Sequence, residues 1–468
     1  MAQAVDVAPS RPFKILIIGA GFVGLSLSHA LQLADIDHIV LEKHDQVVSV
    51  RGAALIIWPG VARIFDQFGF LDKILKTITP VRKEYTRWPD GSVQQVGTSL
   101  QDMSKLFQTE AILTDRETCV THLYENLPDK SKVHTGRRLD RIEHTPTGVR
   151  VHLTDGSVEE GDIVIGADGV HSDVRSQMWD FASKHDPKAV PESDRSALFS
   201  DYGALFCTCV QQDSFGLSPV ETNIILGHDA TKLMFTQKGK TYWAVIFRDG
   251  HSQPPKKRPI SEESAKILAQ RFADLQFTET LKFRDLWENR LNYGLLNIEE
   301  GILEKWHAGR IVLVGDSACK MTSELGFGAN IAIESAITLA NILHRELKAN
   351  PNRHFTHPNS RPSSGYVELS GQVTRMYSYQ TLFSRLLVGY VSPWIQHSQF
   401  MKLAESISRA PKLDYVPVRT MNEDAEGWKL AKKGAINARG GWRMHVLLTS
   451  TVGVAIAYAV SAGFLGRT

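Results

Sequence analysis

Lys14–Val23 reads K-I-L-I-I-G-A-G-F-V, and Gly24 completes the spacing Gly19-x-Gly21-x-x-Gly24. The stretch predicts a buried parallel strand that turns sharply into a helix. Gly19 permits the turn, Gly21 lets a pyrophosphate approach the backbone, and Gly24 lets the helix pack on the strand. The helix start then offers unpaired N–H groups and a positive dipole end to phosphate. A second apolar run, I-V-L-E over Ile39–Glu42, ends in an acid twenty-three residues after the first glycine. Glu42 is thereby placed to accept hydrogen bonds from an adenosine ribose. The ligand predicted is an adenine dinucleotide, and the fingerprint by itself leaves FAD and NAD(P) open.

The 468 residues are 43% hydrophobic and 22% charged, which suits two or three globular domains. A formal net charge of +2 gives no sign of a nucleic-acid partner. Four scattered cysteines (Cys119, Cys207, Cys209, Cys319) make neither a disulfide framework nor a zinc-spaced set, so no metal site is expected. No signal peptide is visible at the start. The other end differs in kind. Val446–Leu465 is twenty residues without a charge, preceded by Lys429, Lys432, Lys433, Arg439 and Arg443. Such a run is long enough to span a bilayer, and the flanking cations place the body of the protein in the cytosol. The expectation is a single-pass tail anchor, suited to the endoplasmic reticulum; the rival reading is a buried terminal helix.

Two further strand ends carry motifs. Ile163–Val164–Ile165 leads into Gly166-Ala167-Asp168-Gly169, followed by Ser172 and Val174-Arg175. Here the aspartate can reach a backbone or ribose partner, and Arg175 is placed for phosphate or carboxylate. Arg310–Val314 leads into Gly315-Asp316, and a glycine-containing helix start follows at Leu325-Gly326-Phe327-Gly328-Ala329-Asn330. An aspartate at that strand end can bond a ribityl hydroxyl, and the N–H groups of the next helix can face the pyrimidine edge of a flavin. Between these motifs, Val81–Val96 reads as a hairpin turning at Pro89-Asp90-Gly91, and a second hairpin turns at Asp155-Gly156. Thr114–Tyr124 reads as a capped helix, and V-A-R-I-F-D-Q-F-G as a helix ended by Gly69. Residues about 181–300 alternate as strands, for instance K-L-M-F-T and T-Y-W-A-V-I-F.

The three motifs, in this order, resemble the single-component flavin-dependent aromatic hydroxylases, of which p-hydroxybenzoate hydroxylase is the best-known member. More narrowly, T-D-R-E-T, G-D-x-x-x-K-M-T and G-A-N-I-A-I-E, with the hydrophobic tail, resemble fungal FAD-dependent monooxygenases of meroterpenoid and indole-diterpene pathways. The resemblance implies an α/β fold with a Rossmann-like FAD-binding domain of the glutathione-reductase type. It divides the chain into a discontinuous FAD-binding domain (12–80, 105–180, 301–350) and an inserted mixed β-sheet substrate domain (81–104, 181–300). A C-terminal helical region (351–440) and the transmembrane tail (446–465) complete it. Carried over residue by residue, Glu42 meets the adenosine ribose, and the loop Gly52, Ala53 to Ile56 lies along the cofactor. Arg116 contacts the FAD phosphates or ribityl chain, Asp168 belongs to the same cradle, and Asp316 binds the ribityl side. Gly328, Ala329 and Asn330 present backbone to the isoalloxazine.

The activity implied is epoxidation, or hydroxylation, of a prenyl or terpenoid side chain with NADPH and O₂, the NADPH binding transiently. Partners implied are an apolar prenylated small molecule, O₂ and the membrane. The chain departs from the family pattern at Ser323 (usually Pro), Phe327 (usually Gln), Ser335 (usually Asp) and Gly203, where an arginine is expected after Tyr202. Phe327, beside the flavin, and Tyr202 are the candidate catalytic positions. The departures keep open a degenerate flavoprotein acting as a cyclase, isomerase or oxidase without net oxygen insertion. A membrane scaffold is a third class, which predicts no bound flavin. A halogenase lacks support because no W-x-W-x-I-P stretch is present, and a P-loop at Lys238–Thr241 fails because Met234 stands where glycine is needed. Removing the residues after Arg443 is expected to shift the protein from the membrane sediment to the supernatant. Unchanged sedimentation would count against the anchor.

Overall fold

The computed structural model describes residues 12–48, 54–228, 230–237, 239–255, 261–323, 326–349 and 392–437. The expected contacts of Gly52 and Ala53, the stretch 351–391 and the transmembrane tail lie outside the described residues. Among the described residues, no helix is long and apolar enough to cross a membrane.

Lys14–Ile18 is the strand that its apolar run predicts, with Ile15, Leu16 and Ile17 wholly buried. It pairs in parallel with Asp37–Leu41 on one side and Ile163–Gly166 on the other, and Ile311–Leu313 adds beyond the latter. Val133–His134 and the antiparallel His307–Ala308 form the edges of this six-stranded sheet. Ile15 and Ile17 face one core, built with helices Phe22–Leu33 and Gly328–Ala349. Leu16 and Ile18 face another, reached by the three-stranded sheet of Leu139–His144, Val149–Leu153 and Val158–Gly161. A strand buried on both faces has to be apolar throughout, which is why K-I-L-I-I shows no alternation.

The second sheet has eight strands, in the order Cys319–Lys320, Arg290–Ile302, Phe199–Val210, Lys240–Ser252, Ala230–Gln237, Thr222–Ile225, Glu84–Arg87 and Val93–Gly97. The hairpin Glu84–Gly97 turns through Pro89-Asp90-Gly91, closed by Trp88 N–H to Ser92 O at 2.9 Å. It joins the sheet by a parallel pairing of Glu84–Arg87 with Thr222–Ile225, so the sheet is mixed. One strand departs from the expected division of the chain. Cys319–Lys320, inside 301–350, pairs with Gly301 and Ile302 at the far edge of this sheet.

The two faces of the larger sheet differ. Leu205, Cys207, Cys209, Trp243, Val245 and Phe247 form its back, packed on helices Glu262–Phe272 and Phe283–Glu288. Trp243 meets Phe283 edge-on at 5.0 Å there, the geometry aromatic pairs favour. Tyr202, Ala204, Leu233, Ile246 and Ile298 form the front. Tyr242, also on the front by its period-2 spacing from Ala244 and Ile246, donates its hydroxyl to Asp115 Oδ2 at 2.7 Å. Gln237 exchanges two 3.0 Å bonds with the Thr79 backbone. The front therefore faces the dinucleotide-type unit.

The C-terminal segment is held by polar side chains of helix Pro59–Phe68. Gln67 bonds Leu413 N and O, each at 2.9 Å. Arg63 donates to Ala410 O at 2.6 Å and lies over the Trp428 ring at 4.0 Å. Asp66 accepts from Arg419 and Thr420 N–H groups. The helix ends at Gly69, as its sequence predicts.

His29, on Phe22–Leu33, is wholly buried between Phe68, which stacks on it at 4.5 Å, and the Leu123 carbonyl, 2.8 Å from Nε2. Burial pushes its imidazole down to about 4, with the Leu123 carbonyl opposing. The unfolded chain, titrating near 6.5, binds more protons between those values. This contribution to stability is therefore whole above pH 6.5 and is lost as pH falls towards 4. The wild type is expected to lose roughly 3 kcal/mol more stability than His29→Phe between pH 7 and pH 4, read from urea unfolding midpoints. Equal losses would show that another group carries the acid sensitivity.

Candidate cofactor and active site

The parallel register brings the motifs together. Ile18 stands opposite Leu41 and Gly166, and Gly166 opposite Leu313, so the strands end side by side. Backbone bonds continue the alignment past the strand ends: Gly19 N–H to Leu41 O (2.8 Å), Ala167 N–H to Ile18 O (2.9 Å) and Val314 N–H to Gly166 O (3.0 Å). All three motifs thus open at the carboxyl edge of the sheet, where α/β folds bind ligands. Close approach demands the glycines. A Cβ on Gly24 would lie 1.9 Å from Gly19 O, and one on Gly315 would lie 2.4 Å from Val23 Cγ2. At Gly21 and Gly328, by contrast, a Cβ would meet nothing within 4 Å, so backbone there borders open space.

Glu42 is buried beneath the first turn, its Oε2 accepting from Ala20 N–H (2.8 Å) and its Oε1 from His44 N–H (3.0 Å). Each oxygen keeps a lone pair for a further donor. Arg116 opens the helix Arg116–Glu125, whose N-cap Asp115 accepts from Thr118 N–H at 2.7 Å. Its guanidinium lies 5.6 Å from the Phe22 ring and feels both Glu42 and Asp316, yet makes no hydrogen bond or ion pair with a described residue. Burial lowers its pKa, with Glu42 opposing. An unpaired cation between the two carboxylates expected at the ribose and ribityl ends is what a pyrophosphate would complete. With the open space at Gly21 and Gly328, these residues fit FAD.

In the second motif the aspartate takes the backbone partner, one of its two expected alternatives, and the arginine departs from expectation. Asp168 accepts from Ser172 Oγ at 2.6 Å and from Val174 N–H at 3.1 Å, which fixes the start of helix Asp173–His185. Arg175, expected to meet phosphate or carboxylate, instead donates to the carbonyls of Val170 (2.7 Å) and Ser317 (3.0 Å). It ties the second motif to the third. Buried carbonyls without partners are costly, and an arginine fork satisfies two at once.

At the third motif, Asp316 pairs with Lys320 through Oδ2. Ser335 supplies a hydroxyl 3.1 Å from Gly315 N, so the residue standing in place of the expected aspartate still supports the turn. The first bond of the following helix runs from Ile331 N–H to Phe327 O, leaving the N–H groups of Gly328, Ala329 and Asn330 ahead of it. Asn330 is wholly buried, and its side chain is a clamp. Nδ2 donates to Ile56 O (2.8 Å) and Gly326 O (2.9 Å), and Oδ1 accepts from Trp58 N–H (2.9 Å).

Phe327 is buried and stacks on Trp58 with centroids 5.5 Å apart. Trp58 was not a candidate from sequence. It follows the short strand Ala54–Ile57, and its buried Nε1 has no hydrogen-bond partner among the described residues. Tyr202 is 2% exposed and stands on the front face, opposite Ile298 and Arg248. The arginine missing at Gly203 has no room, because a Cβ there would lie 2.7 Å from Phe247 Cζ on the back face. Asp115 and Lys320 stand in the quoted motifs T-D-R-E-T and G-D-x-x-x-K-M-T but carry no site role in the sequence reading, and Ser317 has no signal there. Asp115 bridges the two sheets through Tyr242, and Ser317 Oγ donates to Gly166 O at 2.7 Å.

The family described as FAD binding domain matches residues 13–363. The FAD-dependent monooxygenase spyC of Aspergillus fumigatus is 33% identical over 439 residues, covering 90% of this chain and 91% of its own. The chain belongs to the FAD-dependent monooxygenases. The FAD-dependent monooxygenase ausM of Penicillium brasilianum is similar at 31% identity over 432 residues, covering 89% of this chain and 90% of its own. Among solved structures, 2,6-dihydroxypyridine-3-hydroxylase from Arthrobacter nicotinovorans shares the fold with a TM-score of 0.60 at 16% identity. That match covers 80% of this chain and 95% of the other. The cofactor of this monooxygenase is FAD, and NAD(P)H is the reductant typical of the family.

Arg116→Met is expected to weaken FAD binding at least about tenfold if this cation meets the FAD phosphates. The deflavinated protein should melt no lower than the wild type, since the lost cation had no ion-pair partner among the described residues. Fluorescence titration with FAD and melting of the deflavinated protein check the two halves. Unchanged FAD affinity would remove Arg116 from the site.

Proposed function

We propose that this monooxygenase uses NADPH and O₂ to epoxidise, or hydroxylate, a prenyl or terpenoid side chain of a secondary-metabolite intermediate. The observation that carries the reading is the apolar front of the eight-stranded sheet. Tyr202, Ala204, Leu233, Ile246 and Ile298 form an apolar cluster on the face towards the FAD-binding unit, with the charged Arg248 and Glu84 at its margins. A face of that chemistry favours a hydrocarbon chain over a polar aromatic acid. Phe327 and Trp58, stacked at the start of the helix Gly328–Ala349, extend the apolar surface towards the cofactor side. The indole N–H of Trp58, without a partner among the described residues, is a donor that can fix one polar group of an otherwise apolar substrate.

FAD, once reduced, supplies the oxygen-activating chemistry. The task of the protein is to hold the substrate chain at the sheet face, keep water away with Phe327 and Trp58, and balance cofactor charge through Arg116. The hydrophobic run Val446–Leu465 supports a location at the membrane, where a lipid-soluble substrate would concentrate. A second reading, a flavoprotein cyclase, isomerase or oxidase, draws on Phe327 and on the Phe247 ring filling the place of the family arginine.

The test is anaerobic reduction of the purified flavoprotein by NADPH, with and without a panel of prenylated phenols and indoles, followed by admission of O₂. The proposed reading expects substrate-stimulated reduction and a product heavier by one oxygen atom. Product of unchanged mass, or hydrogen peroxide equal to the NADPH consumed, would favour the second reading instead.

A further inference from the structure

Lys320 stands where the cofactor unit and the larger sheet share a strand edge. It lies four residues after Asp316, and its two-residue strand pairs with Gly301 and Ile302 of Arg290–Ile302. Its ammonium bonds Asp316 Oδ2. Nearby, on the same long strand, Glu299 is only 6% exposed and follows Ile298, the neighbour of Tyr202. Glu299 Oε1 lies 3.8 Å from His171 Nε2, in the second motif. Arg116 faces Asp316 from the helix Arg116–Glu125. Lys320, Arg116 and Glu299 thus act on one aspartate from three elements, and His171 of the second motif meets Glu299.

The balance among them is informative. Burial raises the pKa of Glu299, Lys320 opposes that, and Asp316 adds to it. Burial alone would lower the pKa of Lys320, but Asp316 first and Glu299 second hold it above its ordinary value. Glu299 lies two residues before Gly301, the pairing partner of Lys320. Without the lysine, two carboxylates would meet with no cation between them, which is unfavourable.

We infer that Lys320 is a positioning residue for the cofactor, which holds the Asp316 carboxylate in place through its ammonium and offsets the negative charge of Glu299, two residues from its pairing partner Gly301. Asp316 can then receive a ribityl hydroxyl on the lone pairs Lys320 leaves open. The inference rests on the placement of Asp316 at the ribityl side of FAD. It also makes the edge of the substrate sheet part of the cofactor site, because Glu299 and the pairing partners of Lys320 belong to that sheet.

The test is the dissociation constant of FAD, measured by fluorescence titration of the deflavinated full chain. Lys320→Met is expected to weaken FAD about tenfold, and Lys320→Arg to keep most of the affinity. The decisive variant is Lys320→Met with Glu299→Gln. Removing the second carboxylate relieves the repulsion and should recover most of the loss, which a merely structural lysine would not allow. Wild-type affinity in Lys320→Met, with loss in Asp316→Asn, overturns the inference and leaves the placement of Asp316 standing. Wild-type affinity in Asp316→Asn overturns that placement itself. A loss in Lys320→Met that persists in the double variant also overturns the inference. Should Lys320→Met fail to fold, weak FAD binding by the double variant has the same force.

Discussion

The structure depends on the register of one strand. Ile18 sits level with Leu41 and Gly166, and Gly166 with Leu313. A parallel ladder fixes this alignment with evenly spaced bonds, and a slip of one residue would turn each buried run to the opposite face. Because the strands stop together, turns separated by almost three hundred residues of sequence (Gly19 to Gly315) open on one line. Glu42, Arg116 and Asp316 then need little more than their own helix caps and loops to converge.

Around that line, most polar side chains work on the protein itself. Asn330, Arg175, Ser317 and Ser335 each satisfy backbone groups of another segment, and Asp168 caps the helix of its own motif. Leaving any such group unpaired would cost about 1–3 kcal/mol, so these contacts lock the turns in place before any ligand arrives. Arg116 is the exception, a cation without a protein partner among the described residues. The division of labour is physical. Groups that must be rigid are paired internally, and a group that must bind is left to be completed by its ligand.

This division also explains what could be read from sequence. Strands such as K-I-L-I-I and I-V-L-E, the turns at Asp90-Gly91 and Asp155-Gly156, and the helix ending at Gly69 depend on local pattern, and the structure has them where the pattern puts them. The parallel pairing of Thr222–Ile225 with Glu84–Arg87 could not be read, because it is set by tertiary contact. The same holds for Asp168 and Arg175. A motif shows which residue types are present, but whether a carboxylate caps its own helix or faces a ligand depends on geometry six residues wide. Trp58 gave no signal at all, since its role comes from Phe327, which lies far along the chain.

The back of the larger sheet has a consequence for how this scaffold changes over time. Trp243, Phe247, Phe272, Phe277 and Phe283 form a continuous aromatic buttress, so the sheet holds its shape without help from the opposite side. Tyr202, Leu233 and Ile246 on the front are buried too, so truncating them would be costly, but exchanges that keep their volume ask little of the back. A scaffold built this way can reshape its front in small steps while the FAD-binding unit stays as it is.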